Sequence, residues 1–177
     1  PHLGAQGWAV ALHYRSSAAG AEATAATIQA AGGKTALVQA DLASEQDVQG
    51  LMAQATNGLG MPLTALINNA SAFQYDSAES ATRDSWDAHM EPNLRAPLVL
   101  SQALAAQAPS SGGAILNMID QRVLNRTEHS ISYPASKYAL RGMTQQLAIA
   151  LPPTSLRVPG PGPVPTLSPP AHRQPPS

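Results

Sequence analysis

Apolar and polar positions along this chain fall into blocks of two alternating kinds. Short apolar runs at Trp8–Tyr14, Thr35–Ala40, Leu63–Ile67, Ala114–Ile119 and Leu156–Val158 read as buried strands. The first of them follows Pro1 almost at once. Between the runs lie longer, Ala-rich stretches that read as helices: Ala18–Ala31, a segment from Ser44 to about Asn57, Arg83–Ala108 and Ser132–Leu151. Gly32 and Gly33 supply a stop, and Ser44 supplies an N-cap. Gly58 and Gly60 are expected to break the second helix, and Pro92 and Pro97 to disturb the third.

Strand and helix blocks that alternate with short connections predict an α/β fold, a doubly wound parallel sheet with helices on both faces. In such sheets ligands bind at the carboxyl ends of the strands. Arg15, Asp41, Asn68, Asn69, Ser71 and Asp120 stand at those ends. Residues 1–158 read as one domain without internal repeats. Ten of the sixteen prolines fall between Pro152 and Ser177, so 159–177 is expected to be an irregular tail or a remnant of a substrate loop.

Composition narrows the function classes. The 177 residues suffice for one core, and 44 % of them are hydrophobic. Charged residues are 12 % and the net charge is −1, with no basic surplus for nucleic acid and no acidic tail for a basic partner. The absence of cysteine excludes disulfides and thiolate zinc sites and suits a cytoplasmic protein. The five histidines lack metal-ligand spacing, so no metal site is expected. No apolar run approaches the roughly 20 residues of a membrane span.

The candidate chemistry is concentrated in Asn117–Lys137. Tyr133 and Lys137 are four residues apart, so on a helix they share a face, one turn from each other. An ammonium beside a phenol favours the phenolate, drawing the tyrosine from its ordinary pKa of about 10 towards working pH. Tyr133 then becomes a proton donor or acceptor for a redox step. Asp120 ends the strand that points at the same place. Taken singly, each feature has a plainer reading. The pair fits a solvated helix face, Asp120 a strand-end turn and Phe73 loop packing. His129 reads as a surface residue, and Trp8 and Trp86 as packing.

Three motifs in order tip the balance. NNAS at Asn68–Ser71, Asn93, and YPASK at Tyr133–Lys137 make the chain resemble the short-chain dehydrogenase/reductases over roughly Trp8 to Val158. Within that family it is most similar to the pteridine reductases and the bacterial dihydromonapterin/dihydrofolate-reducing branch. The likeness rests on His13–Ser17 (HYRSS), on NNASAF with Phe73, and on Asp120 within NMIDQRV, where most of the family carries a serine. The resemblance implies a Rossmann-like fold, hydride transfer from a nicotinamide and catalysis by Asp120, Tyr133, Lys137 and Asn93. Tyr133 would be the proton relay. Lys137 would modulate it and bind the cofactor ribose, Tyr133 would bind the cofactor as well, and Asn93 would hold a helix bend and a water. Asp41 and Leu42 would touch adenine, Asn69 and Ala70 would form the turn that passes the cofactor ribose, and Ser71 would also bind the cofactor. Phe73, Asp120 and Tyr133 would bind a pterin-like substrate, and the protein would be a homotetramer.

Two substitutions carry chemistry of their own. An ionised aspartate cannot donate a hydrogen bond to an incipient alkoxide and would repel it. Asp120 therefore suits a substrate that offers N–H donors or a C=N bond to be protonated. Where an acid would bind the ribose diol, this chain has Arg15, Ser16 and Ser17, which can hold a 2′-phosphate and favour NADPH. The chain also departs from the family pattern. Gly4 and Gly7 do not replace the glycine-rich loop after a first strand, and Arg157-Val158 runs at once into Pro159. The first βα unit and the final strand are thus expected to be lacking. Another carbonyl or imine substrate, or a non-catalytic truncated homologue, are the alternative readings.

Overall fold

The computed structural model describes residues 1–107, 112–123, 130–151 and 156–159. The surface assignment of His129 and nearly all of the Pro-rich 159–177 segment lie outside the described residues.

The expected alternation is present. In chain order the elements are α1 (His2–Ala5), β1 (Val10–Tyr14), α2 (Ala18–Ala30), β2 (Thr35–Gln39), α3 (Glu45–Leu59), β3 (Ala65–Asn68), α4 (Arg83–Met90), α5 (Ala96–Gln107), β4 (Gly113–Asn117), α6 (Ser132–Ala150) and β5 (Leu156–Arg157). A π turn, Glu91–Arg95, joins α4 to α5, and a 3-10 turn, Gln121–Val123, follows β4. All strand pairs are parallel, with Val10 opposite Thr35, Ala65 opposite Ala114 and Gly113 opposite Leu156. This is the doubly wound α/β class, with helices on both faces.

Local chemistry explains most element ends. Ser44 caps α3, its hydroxyl accepting from the Asp47 amide. Gly60 ends α3 in the left-handed region at φ 64°, which a side chain would strain. Gly58, expected to break α3, lies inside it, because its φ is compatible with the helix and its bare face meets Ala36. The first expected strand is present, starting at Val10 rather than Trp8. Before it the first residues form α1, closed by Ala5 N–H donating to Pro1 O at 3.0 Å. Between α4 and α5 the pitch widens where Pro92 lies within the π turn. Pro97 also cannot supply the N–H that α-helical pairing would give the Asn93 carbonyl.

The sheet is in two pieces, β1–β2 and β3–β4–β5, rather than one continuous ladder. Val10 donates to Lys34 O and Tyr14 O accepts from the Ala40 amide, so alternate residues of β1 turn their backbone groups to β2. Ala11 and His13 turn theirs the other way. Thr64 O and Asn68 O accept from Ala114 and Met118, which leaves Ala65 and Ile67 of β3 facing away from β4. Between these two edges lies an apolar slot of about 370 Å³, with Met52 and Ala55 of α3 and Leu100 of α5 among its lining. The main core continues beneath it through Val48, Leu51, Leu104, Ile115, Leu147 and Leu156.

Candidate active site

Helix α6 sets the position of the Tyr133–Lys137 pair. Both residues are buried, 5 % and 4 % exposed, so the solvated-face reading of their spacing does not apply. The Tyr133 hydroxyl donates to Asp120 Oδ2 at 2.7 Å. Lys137 Nζ donates to the Met118 carbonyl at 3.2 Å and sits 5.9 Å from the centre of the Tyr133 ring. Burial pushes the Lys137 ammonium below its ordinary value, and the Asp120 charge partly opposes that shift. The end of β4 and the start of α6 thus bring an acid, a phenol and an ammonium into one cluster, as the motif order suggested.

Asn93 is fully buried in the π turn. Its side-chain oxygen accepts from the Ala72 amide at 2.8 Å and from Ser71 Oγ at 3.2 Å. Its amide donates to Ala72 O at 3.0 Å and to Ser136 Oγ at 3.1 Å. Every polar position of the side-chain amide is engaged, so it ties the loop after β3 to α6 one turn beyond Ser132.

Phe73 on that loop packs edge-on against Tyr133, ring centres 4.9 Å apart. Tyr75 also packs edge-on against Phe73 at the same separation and is 79 % exposed. Sequence reading passed over Tyr75, although its place two residues beyond Phe73 was a signal. It also passed over Asp76, His89, Ser132 and Ser136, all buried and all hydrogen-bonded around Tyr133 or Asn93. Ser132 and Ser136 flank Tyr133 on one helix, a legible hint. Nothing local marks Asp76 or His89.

The residues expected to hold a cofactor lie along the ends of β1, β2 and β3. Arg15 and Ser16 are exposed just beyond β1, and Arg15 has no ion-pair partner among the described residues. The Arg15 carbonyl is held by Gln39 Nε2 at 3.0 Å. Asp41 Oδ1 accepts from the Ala43 amide, which shapes the turn carrying Leu42. Leu42, Asn69 and Ala70 all line the slot between the sheets. Ser71 is joined to Asn93. An unpaired guanidinium beside two serine hydroxyls fits a 2′-phosphate, and the open strand ends fit the flat and ribose parts of a dinucleotide. Among the described residues no group of His, Cys, Asp and Glu side chains is arranged to hold a metal ion, and no helix is long and apolar enough to cross a membrane.

A sheet of this topology, with a tyrosine, a lysine and an asparagine meeting at the carboxyl ends of its strands, defines a dehydrogenase class. The chain belongs to the short-chain dehydrogenase family, whose profile matches residues 1–175. It is 38 % identical to the FolM alternative dihydrofolate reductase 1 of Brucella suis, solved with NADP, with a TM-score of 0.85 over 94 % of this chain and 68 % of that one. The Brucella canis counterpart, also solved with NADP, has the same identity and a TM-score of 0.82 over 88 % of this chain and 62 % of that one. An uncharacterized oxidoreductase of Methylorubrum extorquens is 34 % identical over 88 % of this chain. This chain spans 62 % of that relative's length.

Proposed function

We propose that this chain carries the catalytic residues of an NADPH-dependent reductase acting on a pteridine, a dihydropterin- or dihydrofolate-like ring. The observation that carries the reading is the 2.7 Å bond from the Tyr133 hydroxyl to the Asp120 carboxylate, with the Phe73 ring against the same tyrosine. A carboxylate at that point accepts hydrogen bonds from the N–H groups of a pterin. The Phe73 edge of the site offers it an aromatic wall. The likeness to two enzymes described as alternative dihydrofolate reductases supports the same substrate class.

NADPH supplies the hydride when bound. Arg15 and Ser16 would hold its 2′-phosphate, Asp41 and Leu42 its adenine, Asn69 and Ala70 the turn along its ribose, and Ser71 would also contact the cofactor. Tyr133 delivers the proton to the substrate nitrogen, and Asp120 orients both the phenol and the ring. The Lys137 ammonium, 5.9 Å from the Tyr133 ring centre, favours the phenolate left after transfer, and it would also hold the nicotinamide ribose. Asn93 holds the substrate loop against α6 and keeps the helix bend that admits a relay water. The protein works in the cytoplasm as a homotetramer. Exposed Tyr138 and Ile149 on α6, 43 % and 79 %, offer apolar surface for such an assembly.

The test is turnover of dihydropterin and dihydrofolate with NADPH by the full-length protein, beside its Asp120→Ser variant. Turnover by the parent and a loss of at least about tenfold in the variant are expected. Equal rates in parent and variant would overturn the role of Asp120. A second reading has a specific observation behind it. The chain is 30 % identical, at a TM-score of 0.82, to LugOII, described as a promiscuous reductase that catalyses keto-reduction. Ketone turnover that rises in Asp120→Ser while pterins stay inert in the parent would favour that alternative.

A further inference from the structure

Helix α6 begins without a cap of its own. Its N-cap residue is Ile131, which has no side chain able to accept from the first amides. The acceptor comes instead from Asp76, far away in sequence on the loop after β3. Asp76 Oδ1 accepts from the Ile131 amide at 2.9 Å and from the Ser132 amide at 3.3 Å. Asp76 Oδ2 accepts from the Ser132 hydroxyl and from Ser85 Oγ, the latter at 3.3 Å. Asp76 is 5 % exposed. Burial alone would raise its carboxyl, yet the Ser132, Ile131 and Ser85 donors together hold it below the ordinary carboxylate range.

His89 closes the cluster from α4. Its Nε2 accepts from the Gln74 amide at 2.9 Å, so in the neutral ring the proton sits on Nδ1. Nδ1 lies 2.6 Å from Ser132 Oγ and 2.8 Å from Ser85 O. Proton order therefore runs from His89 to Ser132 and from Ser132 to Asp76. A serine, a histidine and an aspartate in contact invite comparison with a hydrolase triad, but the order is wrong for one. Ser132 gives its proton to the carboxylate, not to the imidazole, and is fully buried. The cluster is built to hold parts together.

What it holds is adjacent to the chemistry. Tyr133 follows Ser132 directly, in the first turn of α6. Phe73 and Gln74 precede Asp76 on the loop, with Phe73 packed on Tyr133 and Gln74 bonded to His89. We propose that Asp76 is a positioning residue for Tyr133: its carboxylate, as the cap of α6 supplied from the substrate loop, sets the first turn of the helix and thereby keeps the phenol within bonding distance of Asp120. The aromatic loop and the tyrosine are then locked to each other by one carboxylate, with Ser132 and His89 as its supports. This inference rests on the reductase reading only for its effect on turnover.

The experiment uses the full-length protein and three readouts. Amide hydrogen exchange at Ile131 and Ser132 reports the cap. Titration of the Tyr133 phenol by its ultraviolet absorbance, as a difference against Tyr133→Phe, is run with and without Asp120→Asn. The shift caused by Asp120→Asn measures the Tyr133–Asp120 coupling. Steady-state kinetics with NADPH and a dihydropterin form the third readout. In Asp76→Ala, exchange at both amides is expected to rise about tenfold or more, the loss of a charge-assisted bond. The coupling is expected to fall to less than half, and kcat to fall about 10–100-fold while KM for NADPH holds within about twofold. Asp76→Asn keeps a neutral acceptor and is expected to recover most of the protection and coupling, and it carries the test if Asp76→Ala does not fold. Undiminished coupling in Asp76→Ala, or in Asp76→Asn when exchange at both amides has risen, would overturn the proposal even though the helix start had loosened. A parent without turnover would instead overturn the reductase reading, and the coupling would still decide the role of Asp76.

Discussion

The two halves of this molecule are held by different kinds of contact. Around Tyr133, side chains bond across long stretches of sequence: Asn93 to Ala72 over 21 residues, Asn93 to Ser136 over 43, Asp76 to the Ile131 amide over 55. Asn93, Ser136 and Asp76 are buried, and their donors and acceptors are matched. At the ends of β1 and β2 the contacts are sparse and mostly to backbone. Arg15 and Ser16 stand in solvent, and among the described residues the inner edges of β1 and β3 face an apolar slot rather than another strand. The half around Tyr133 is preorganised by its own side chains, while the half around Arg15 presents shape and charge to something else. A buried polar group left unmatched is costly, so the first half tolerates little change; an exposed one is solvated, so the second tolerates much.

That contrast can be broken most directly at Tyr133. Tyr133→Phe keeps the ring packed on Phe73 and removes only the hydroxyl, so turnover should fall about 10²–10⁴-fold with little change in NADPH affinity. Steady-state rates with direct cofactor titration read both quantities. Asn93→Ala comes next. It strands the Ala72 amide and carbonyl and should lower stability by about 2–4 kcal/mol, seen as a shift of the urea midpoint at constant slope. A loss below about 0.5 kcal/mol would mean that the network is decoration.

Arg15→Ala tests the open half. Stability should move by less than about 0.5 kcal/mol, because the guanidinium is exposed and has no ion-pair partner among the described residues. NADPH affinity should drop about 10–100-fold and NADH affinity should stay, as the loss of one charge-assisted contact predicts. Equal losses for both cofactors, measured by fluorescence titration, would remove the 2′-phosphate assignment.

The smallest effect is acid dependence at Asp76. Its carboxyl is held below the ordinary value by Ser132, Ile131 and Ser85 despite burial. The unfolded chain therefore takes up the proton first on acidification. The stabilisation is complete above the unfolded pKa of about 3.9 and fades as pH falls through the lower folded value. Asp76→Asn should flatten the stability profile in that acid window and leave its slope at neutral pH alone. Identical profiles would show that the carboxylate is not held as the bond pattern implies.

How much was legible in advance follows from the range of the interactions. Apolar periodicity located all five strands and the longer helices within a few residues, because burial of one face is written into local spacing. Ser44 as a cap, Gly60 as a stop and the disturbance near Pro92 and Pro97 were readable for the same reason. Tyr133, Lys137 and Asp120 were flagged by a short motif and do converge. Gly58 inside α3 went against the local signal, since its bare face meets Ala36 within the helix, and α1 was not anticipated.

The amino-acid sequence by itself determined the element order, the parallel α/β class and the family to which the chain belongs, since each rests on local patterns and short motifs. Only the tertiary structure decided that the sheet is divided by a slot, that Asn93 is engaged at every side-chain position, and that α6 takes its cap from Asp76. Those outcomes depend on which distant groups meet within about 3 Å, and one-dimensional spacing does not encode such distances. A carboxylate on a loop looks the same in sequence whether it meets water or the first amides of a helix 55 residues away. Which of the two it meets is set by the packing of the loop after β3 against α4 and α6, and so by the whole fold.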